Sequence, residues 1–239
     1  MQRVTSGIKG LDEMLGGGFP QGRVILISGG PGTGKTNLSL QFIASAADEG
    51  DPGVYVTLEE PLELIRQNID GFDWKIIEKE VKNKIRLLDF YSVSFLFTSY
   101  ELRDRRDRDS VTSILEGIEK AVKNIGAKNI ALDPITTLTL QEMRAGAKRR
   151  MIADLFTSLR RIGCTTVITS EMTSPRDFMV EEFLADGVIR MTKHIENFQM
   201  VSVLRIEKMR GMKYDDQPRR YVIDERGFTV YNTENIKIG

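Results

Sequence analysis

The feature that most constrains the fold of this chain is a glycine-rich turn near its amino terminus. Residues 29–36 read Gly-Gly-Pro-Gly-Thr-Gly-Lys-Thr. An apolar, largely β-branched run at 24–27 precedes the turn, and apolar residues at helical spacing follow it over 35–48. The first pattern predicts a buried strand over 23–28 and the second predicts a helix. A strand that leads directly into a helix is typical of α/β proteins with a parallel sheet.

The turn matches G-x-x-x-x-G-K-T, the pattern of phosphate-binding loops, and it lies in the required strand–helix context. Its glycines allow positive φ and close approach to phosphate oxygens, and the amides at the helix start attract anions. Lys35 would reach the β and γ phosphates of ATP, and the Thr36 hydroxyl would bind Mg²⁺. The predicted nucleotide-binding residues form one stretch: Gly29, Gly30, Pro31, Gly32, Thr33, Gly34, Lys35, Thr36 and Asn37.

The first two thirds of the chain alternate strand and helix patterns. Further strands are predicted over 54–58, 85–89, 130–133 and 165–169, and helices over 61–69, 110–125 and 147–162. Ser110 would cap its helix, and the mixed-charge run 101–109 before it is expected to be a solvated loop. After Gly187, strands over 188–191, 200–208, 221–224 and 228–231 follow without helices between them. We therefore expect one α/β domain over 1–239, with a mostly parallel twisted sheet, helices on both faces and an antiparallel β extension at the carboxyl end.

Composition excludes several kinds of site and partner. Lys plus Arg equals Asp plus Glu, at 34 each, so there is no overall attraction to nucleic acid or anionic membrane. The single Cys164 and single His194 exclude an intrachain disulfide, a cysteine-based zinc site and a multi-histidine metal site. No apolar stretch approaches the roughly 20 residues that span a bilayer, and the amino terminus lacks a signal-peptide pattern. We expect a cytoplasmic protein with no membrane partner.

An acid at the end of the predicted strand 130–133 is the candidate second magnesium ligand. The run Asn-Ile-Ala-Leu-Asp at 129–133 fits a Walker B strand, in which Asp133 would hold Mg²⁺ through water. The pattern alone is weak, because an aspartate after a strand also caps helices and turns. The phosphate-binding loop in the same chain favours the metal role.

Two adjacent acids, Glu59 and Glu60, follow the predicted strand 54–58. Ligands of open parallel sheets bind at the carboxyl ends of strands, where a carboxylate could accept a proton from an attacking water. Mutual repulsion could raise the pKa of one of them. Two exposed acids that interact with a helix dipole would give the same pattern, and the residues alone leave both interpretations open.

Several further motifs occur in collinear order over nearly the whole chain. They are Val-Thr-Ser-Gly-Ile-Lys-Gly-Leu-Asp-Glu-Met-Leu-Gly-Gly-Gly at 4–18, Thr-Leu-Glu-Glu-Pro at 57–61, Leu-Asp at 132–133, Thr-Ser-Glu at 169–171, Val-Glu-Glu-Phe-Leu-Ala-Asp-Gly at 180–187 and Lys-Met-Arg-Gly at 208–211. Together they resemble the KaiC-type domains of the RecA-like ATPases, most closely the single-domain archaeal members. The resemblance implies a RecA-like P-loop NTPase core and a hexameric ring with ATP between neighbouring subunits.

The resemblance also implies residue roles. Glu59 and Glu60 would be the catalytic carboxylates, and Lys208 and Arg210 would reach the γ-phosphate of the neighbouring subunit's nucleotide. A solvent-facing basic strand is the alternative for Lys208 and Arg210. Residues 169–171 resemble the position that senses the γ-phosphate. The predicted catalytic residues are Glu59, Glu60, Lys35, Lys208 and Arg210, and the predicted metal-binding residues are Thr36 and Asp133.

The chain departs from the family pattern at two places. Tyr214 stands where many relatives have a histidine, and Glu-Glu-Phe at 181–183 stands where clock members carry phosphorylatable Ser and Thr. Autophosphorylation of that kind is therefore not expected. No zinc-finger or helix-hairpin-helix segment precedes the core, which disfavours recombinase-type DNA handling. The basic cluster at 144–150 (Arg144, Lys148, Arg149, Arg150) could line a pore, although a solvated helix start or a subunit contact is favoured.

These observations predict an ATPase of the KaiC/RecA type that uses ATP/ADP and Mg²⁺ and forms a homo-oligomer, expected to be a hexameric ring. Two alternatives from other classes remain open at this point. One is a nucleotide-controlled signalling or binding scaffold with slow hydrolysis, acting on an unidentified protein partner. The other is a DNA-associated recombination or repair ATPase, although nucleic acid binding is not indicated.

Overall fold

The computed structural model describes residues 2–91, 106–139, 145–172, 179–196 and 198–232. The strands are β1 (Arg3–Val4), β2 (Phe19–Pro20), β3 (Val24–Gly29), β4 (Gly53–Thr57), β5 (Ile85–Asp89), β6 (Asn129–Asp133), β7 (Thr165–Glu171), β8 (Gly187–Glu196), β9 (Gln199–Met209), β10 (Arg219–Asp224) and β11 (Gly227–Tyr231). The helices are α1 (Leu11–Met14), α2 (Lys35–Asp48), α3 (Leu62–Ile69), α4 (Ile76–Val81), α5 (Arg106–Ile125), α6 (Thr136–Thr139), α7 (Ala145–Ile162) and α8 (Val180–Leu184).

A nine-stranded sheet organises the molecule, in the order β11-β10-β9-β8-β3-β7-β6-β4-β5. Strands β8, β3, β7, β6, β4 and β5 pair in parallel. Strands β9, β10 and β11 add to the β8 edge in antiparallel pairings. The strands β1 and β2 form a separate antiparallel pair. The predicted α/β fold, with a mostly parallel sheet and a carboxyl-terminal antiparallel extension, is confirmed.

The core lies on both faces of this sheet. Along β3, Ile25 and Ile27 belong to the cluster that packs against α2, whereas Val24 and Leu26 belong to the cluster that packs against α5 and α7. All four side chains are fully buried. A strand covered on both faces has no solvated side, which explains why this segment is continuously apolar in sequence.

Two local predictions were wrong. Helix α5 begins at Arg106 rather than at Ser110, so residues 106–109 of the expected loop are helical. That segment contains no glycine or proline to end the helix, and arginine is a good helix former. Strand β8 continues to Glu196 instead of ending at residue 191, so His194, which falls between the strands predicted over 188–191 and 200–208, lies on a strand. The ladder with β9 stays paired as far as Glu196 and Gln199. The short helices α1, α6 and α8 were not predicted. Residues 92–105 lie outside the described part of the chain.

Strand direction decides which residues meet. Because parallel strands end at the same edge of the sheet, the turn after β3 and the ends of β4, β6 and β7 lie together. Strand β9 runs the other way, so Lys208 lies opposite Val188 near the start of β8. The sheet therefore has one edge with the glycine-rich loop and an opposite edge with Lys208.

Packing behind the loop predicts a large stability effect at Phe42. Its ring is fully buried on α2 and makes an edge-on contact with Phe19 at a centroid distance of 5.5 Å. We expect Phe42→Ala to lower the free energy of unfolding by about 3–5 kcal/mol, through lost burial and the cavity left behind. Urea unfolding at a fixed protein concentration measures it. The matched control is Phe198→Ala, whose side chain is fully exposed, with an expected change below about 0.5 kcal/mol. Equal losses in the two variants would contradict this packing.

Candidate functional site

The glycine-rich loop connects β3 to α2 and is held from behind by the carboxyl-terminal strands. Gly34 has φ 91°, and a Cβ atom there would lie 2.4 Å from Cδ1 of Ile223, so only glycine fits. The Tyr221 hydroxyl donates a hydrogen bond to the Thr33 carbonyl oxygen at 2.6 Å, and the Thr33 hydroxyl donates to the Gly30 carbonyl oxygen at 2.8 Å. These contacts hold the backbone of the loop in its curved shape.

The side chain of Lys35 lies over this loop. It is buried, and its ammonium donates a hydrogen bond to the Gly30 carbonyl oxygen at 3.0 Å. Burial lowers the pKa of Lys35, and the carboxylates of Glu171, Asp133 and Glu59 oppose that shift. A partly desolvated ammonium beside a loop of backbone amides is suited to binding a polyphosphate.

Asp133 ends β6 as a buried carboxylate with fixed orientation. The Tyr55 hydroxyl donates to its Oδ2 at 2.8 Å, and the Thr169 hydroxyl donates to its Oδ1. Burial and the negative charge of Asp133 raise the pKa of Tyr55 well above its usual value, so this phenol stays a donor. Each carboxylate oxygen keeps one acceptor position free of these two bonds, which could be used by water around a cation.

The donor set suits Mg²⁺, which is usually bound by one or two protein oxygens together with water and phosphate. Thr36 and Asp133 both line the cleft above the loop. Within the described ranges, no cluster of three or more His, Cys, Asp and Glu side chains is present that could hold a metal by itself. The residues therefore fit a cation that arrives with a nucleotide.

The two adjacent acids after β4 have different surroundings. Partial burial raises the pKa of Glu59, and the nearby carboxylates of Glu171 and Asp133 raise it further, while Lys35 acts in the opposite direction. Glu60 instead accepts a hydrogen bond on Oε2 from the Asn68 amide at 3.3 Å. Its carbonyl oxygen accepts another from the Thr57 hydroxyl at 2.6 Å. The charge of Glu59 thus interacts with those of Lys35 and Asp133 in the cleft, whereas Glu60 forms a hydrogen bond with a residue of α3.

These groups surround a cleft of about 480 Å³ at the carboxyl edge of the sheet. Glu171 is part of it, with a carboxylate oxygen 3.8 Å from the Lys35 ammonium. The sequence indicates a γ-phosphate-sensing motif at 169–171 but does not predict Glu171 as a catalytic residue. Its position at the end of a predicted parallel strand could have indicated that it lies in the cleft. The lining residues are Pro31, Gly32, Gly34, Lys35, Thr36, Asn37, Leu40, Glu59, Glu60, Ile65, Asn68, Ile69, Asp133, Glu171 and Ile223.

Lys208 and Arg210 are not brought to this cleft. The Lys208 ammonium donates to the Glu182 carbonyl oxygen at 2.5 Å, and the Arg210 guanidinium donates to the Phe183 carbonyl oxygen at 3.0 Å. Burial and the neighbouring charge of Arg210 lower the pKa of Lys208. Lys208 pairs with Val188, which pairs with Leu26, so the register places its backbone about 10 Å along the strands from Gly29, where the loop begins. Arg210 lies two residues further from the loop. Neither cation lines the cleft beside the loop of its own chain.

The remaining residues singled out in the sequence lie elsewhere. Cys164 is buried, and burial raises the pKa of its thiol to about 11, which leaves it unreactive. The Tyr214 hydroxyl donates weakly to the Glu207 carbonyl oxygen at 3.4 Å, on the strand that carries Lys208. His194 Nε2 contacts the Thr192 hydroxyl at 2.8 Å. Of the basic cluster, Lys148, Arg149 and Arg150 lie on α7, and Arg144 is outside the described residues. None of the described residues among these lines the cleft.

In the described part of the chain, none of the helices combines the length and apolar character needed to cross a bilayer.

Comparison with known proteins identifies the relatives of this chain. Residues 4–235 match the sequence profile described as "ATPase: KaiC". A UPF0273 protein from Methanopyrus kandleri is 33% identical over 234 residues, covering 96% of this chain and 92% of that protein. The circadian clock oscillator protein KaiC of Prochlorococcus marinus is 32% identical over 237 residues, which cover 97% of this chain and 46% of that protein.

A solved structure supports the same relationship at the level of the fold. The crystal structure of a KaiC-like protein from Pyrococcus horikoshii superimposes with a TM-score of 0.82 and 34% sequence identity. The alignment covers 96% of this chain and 99% of that one. The resemblance inferred from the sequence motifs is confirmed, and the chain belongs to the KaiC ATPase family.

Proposed function

We propose that this protein binds ATP with Mg²⁺ and hydrolyses it at sites completed between subunits of a homo-oligomeric ring. The observation that carries the proposal is the division of charged groups between two edges of one sheet. Lys35, Asp133 and Glu59 surround the cleft at one edge, whereas Lys208 and Arg210 lie at the other. A heterologous contact between copies of the chain would bring the two sets together, and such contacts close into rings when the rotation allows. The family resemblance favours six subunits.

Within one subunit, the loop and the lysine would bind the nucleotide. Backbone amides of the loop and the Lys35 ammonium would hold the phosphates. The Thr36 hydroxyl would bind Mg²⁺ directly, and Asp133 would bind it through water. When bound, the cation would neutralise charge on the phosphates. The fixed orientation of Asp133 by Tyr55 and Thr169 supports this role.

Glu59 would be the carboxylate that activates water. The water oxygen attacks the γ-phosphorus, its proton passes to Glu59, and the bond between the γ-phosphorus and the β,γ-bridging oxygen breaks to release ADP. The electrostatic link between Glu59 and Lys35 supports its position near the phosphates. Glu60, held by Asn68, would keep the turn after β4 in place.

Lys208 and Arg210 would stabilise the charge that develops on the γ-phosphate of the neighbouring subunit's nucleotide. Arginine presents a planar fork of donors that matches phosphate oxygens, and fingers supplied in trans contribute large rate factors. The separation of these cations from their own loop supports an action on a neighbour. The proposal therefore predicts a site that no single subunit contains.

Substitution of the two adjacent acids should separate their roles. We expect Glu59→Gln to reduce turnover by about 10²–10⁴-fold, because the proton acceptor is lost, while nucleotide binding is kept. Glu60→Gln is the matched control, and its turnover should fall by less than about tenfold, since its contact with Asn68 can be made by an amide. Phosphate release and binding of a fluorescent ATP analogue measure the two quantities. A greater loss in Glu60→Gln would reverse the assignment.

The pH dependence of kcat/KM should report the raised pKa of Glu59. A base works only when deprotonated, so the rate should fall on acidification at a pH above 4.5, the ordinary value of a glutamate. Among the neighbouring charges, the Glu171 carboxylate raises the pKa of Glu59 the most. Glu171→Gln removes that charge, so the acid limb of the pH profile should move to lower pH. Profiles between pH ~5 and ~8 measure this, with Glu78→Gln as a surface control. An acid limb that stays in place in Glu171→Gln would argue against Glu59 as the base.

Mixing two inactive variants tests the shared site. Lys35→Ala should not bind nucleotide, and Arg210→Ala should bind it but lose about 10³-fold in turnover. When equal amounts of the two variants are co-expressed, some interfaces combine the intact Arg210 of a Lys35→Ala subunit with the intact loop of an Arg210→Ala subunit. In randomly mixed rings, roughly a quarter of the interfaces have this combination. We expect phosphate release to recover in proportion. In the unmodified protein, specific activity should rise and then saturate with protein concentration. Recovery no greater than the sum of the two variants would refute the shared site.

A further inference from the structure

Helix α8 connects the strands of the nucleotide cleft to the two cations at the opposite edge of the sheet. It has only five residues, too few to be stable without outside contacts. Two of them, Glu181 and Glu182, are buried acids, which is costly unless their oxygens are bound. The contacts of this helix therefore decide where it lies.

The buried side chains fix α8 beneath the ends of β3 and β7. Glu182 Oε1 accepts a hydrogen bond from the Ser28 hydroxyl at 3.0 Å, and Glu181 Oε1 accepts one from the Ser170 hydroxyl at 2.9 Å. Ser28 directly precedes the first glycine of the phosphate loop, and Ser170 directly precedes Glu171. The helix is thus attached to two strands that end in the cleft.

An arginine extends this attachment to the strand that carries Lys208. The Arg190 guanidinium donates to both carboxylate oxygens of Glu182 at 2.8 Å, and its Nε lies 3.5 Å from a carboxylate oxygen of Glu207. The arginine and Glu182 are nearly buried, so solvent screens their charges little. Glu207 is the residue immediately before Lys208. Strand β9 is therefore fixed at that point through Arg190.

The backbone of the same helix binds the two cations. The carbonyl oxygen of Glu182 accepts from Lys208, and the carbonyl oxygen of Phe183 accepts from Arg210. The amide of Arg210 also donates to the Asp186 carbonyl oxygen at 2.9 Å, just after the helix. Any rotation or displacement of α8 would therefore move the acceptors that orient both cations.

We infer that Glu182, together with Arg190, is a positioning residue that holds Lys208 and Arg210 in the orientation in which they act on the neighbouring subunit's nucleotide. This inference rests on the proposed shared site. Glu182 itself touches no nucleotide and takes no part in bond breaking. Its role is in the subunit that supplies the cations, not in the subunit that binds the nucleotide.

Two mixtures of variants, which differ only in the subunit that carries Glu182→Gln, can show on which side of the interface Glu182 acts. In the first mixture, the double variant Lys35→Ala/Glu182→Gln supplies Lys208 and Arg210, and the Arg210→Ala variant supplies the intact nucleotide-binding loop. In the second mixture, the Lys35→Ala variant supplies Lys208 and Arg210, and the double variant Arg210→Ala/Glu182→Gln supplies the intact nucleotide-binding loop. Glutamine keeps an acceptor for Ser28 but loses the charge that pairs with Arg190. We expect phosphate release from MgATP to fall about tenfold in the first mixture, as expected for a misplaced catalytic group, and by less than about twofold in the second.

Controls keep the test independent of folding. The same substitution is present in both mixtures, so a general folding defect would lower both, and equal losses would overturn the inference. Glu207→Gln, at a partly exposed position, should lower the first mixture about threefold and spare the second. Glu78→Gln, an exposed acid on α4, should change neither. The KM for MgATP should stay the same in the first mixture, because the nucleotide-binding subunit is unaltered there.

The outcomes for the two proposals are distinct. If Lys35→Ala and Arg210→Ala fail to complement each other without further changes, the shared site is refuted and the positioning role falls with it. If they complement normally and Glu182→Gln in the cation-supplying subunit has no effect, only the positioning role is refuted. A loss confined to the second mixture would assign Glu182 to the nucleotide side and would also overturn the inference.

Discussion

The parallel pairing of β3, β7, β6 and β4 is the constraint on which the rest of the structure depends. It brings the loop after Gly29, the carboxylate of Asp133 and the turn that carries Glu59 to one edge, although they are distant in sequence. The reversal of direction between β8 and β9 has the opposite effect on Lys208. One sheet thus separates the groups that line the cleft from Lys208 and Arg210. The directions of the strands are enough to place the two sets of residues at opposite edges of a single sheet.

The glycine-rich loop, the α/β fold and the family could be predicted from sequence because each is encoded by local patterns. The loop is specified by residue identity, and buried parallel strands such as β3 are specified by continuous apolar runs. The distinct surroundings of Glu59 and Glu60 could not be predicted, since they arise from Asn68 on α3, from the carboxylates of Asp133 and Glu171 on two other strands, and from Lys35 on α2. Adjacent identical residues give no sequence signal for that difference.

Helix α8 shows the second limit of such patterns. Hydropathy places Glu181 and Glu182 at the surface and Phe183 inside, whereas the two acids are buried and the phenyl ring is 57% exposed. The carboxylates of Glu182 and Glu181 accept hydrogen bonds from Ser28 and Ser170, which lie 154 and 11 positions away from them in the chain. Buried polar groups of this kind are satisfied by tertiary contacts that no local window contains. Patterns based on solvent preference are therefore least reliable where charged residues have a structural role.

The bond from Tyr221 to the carbonyl of Thr33 joins residues 188 positions apart. The neighbouring bond from the amide of Phe228 to the Gln41 side chain, at 2.7 Å, spans 187 positions. During synthesis from the amino terminus, β3 and α2 therefore emerge long before the strands that support the loop between them. A nascent chain that lacks β10 has the complete phosphate-binding motif but not its rear support. The support behind the loop is therefore completed only after most of the chain has been synthesised.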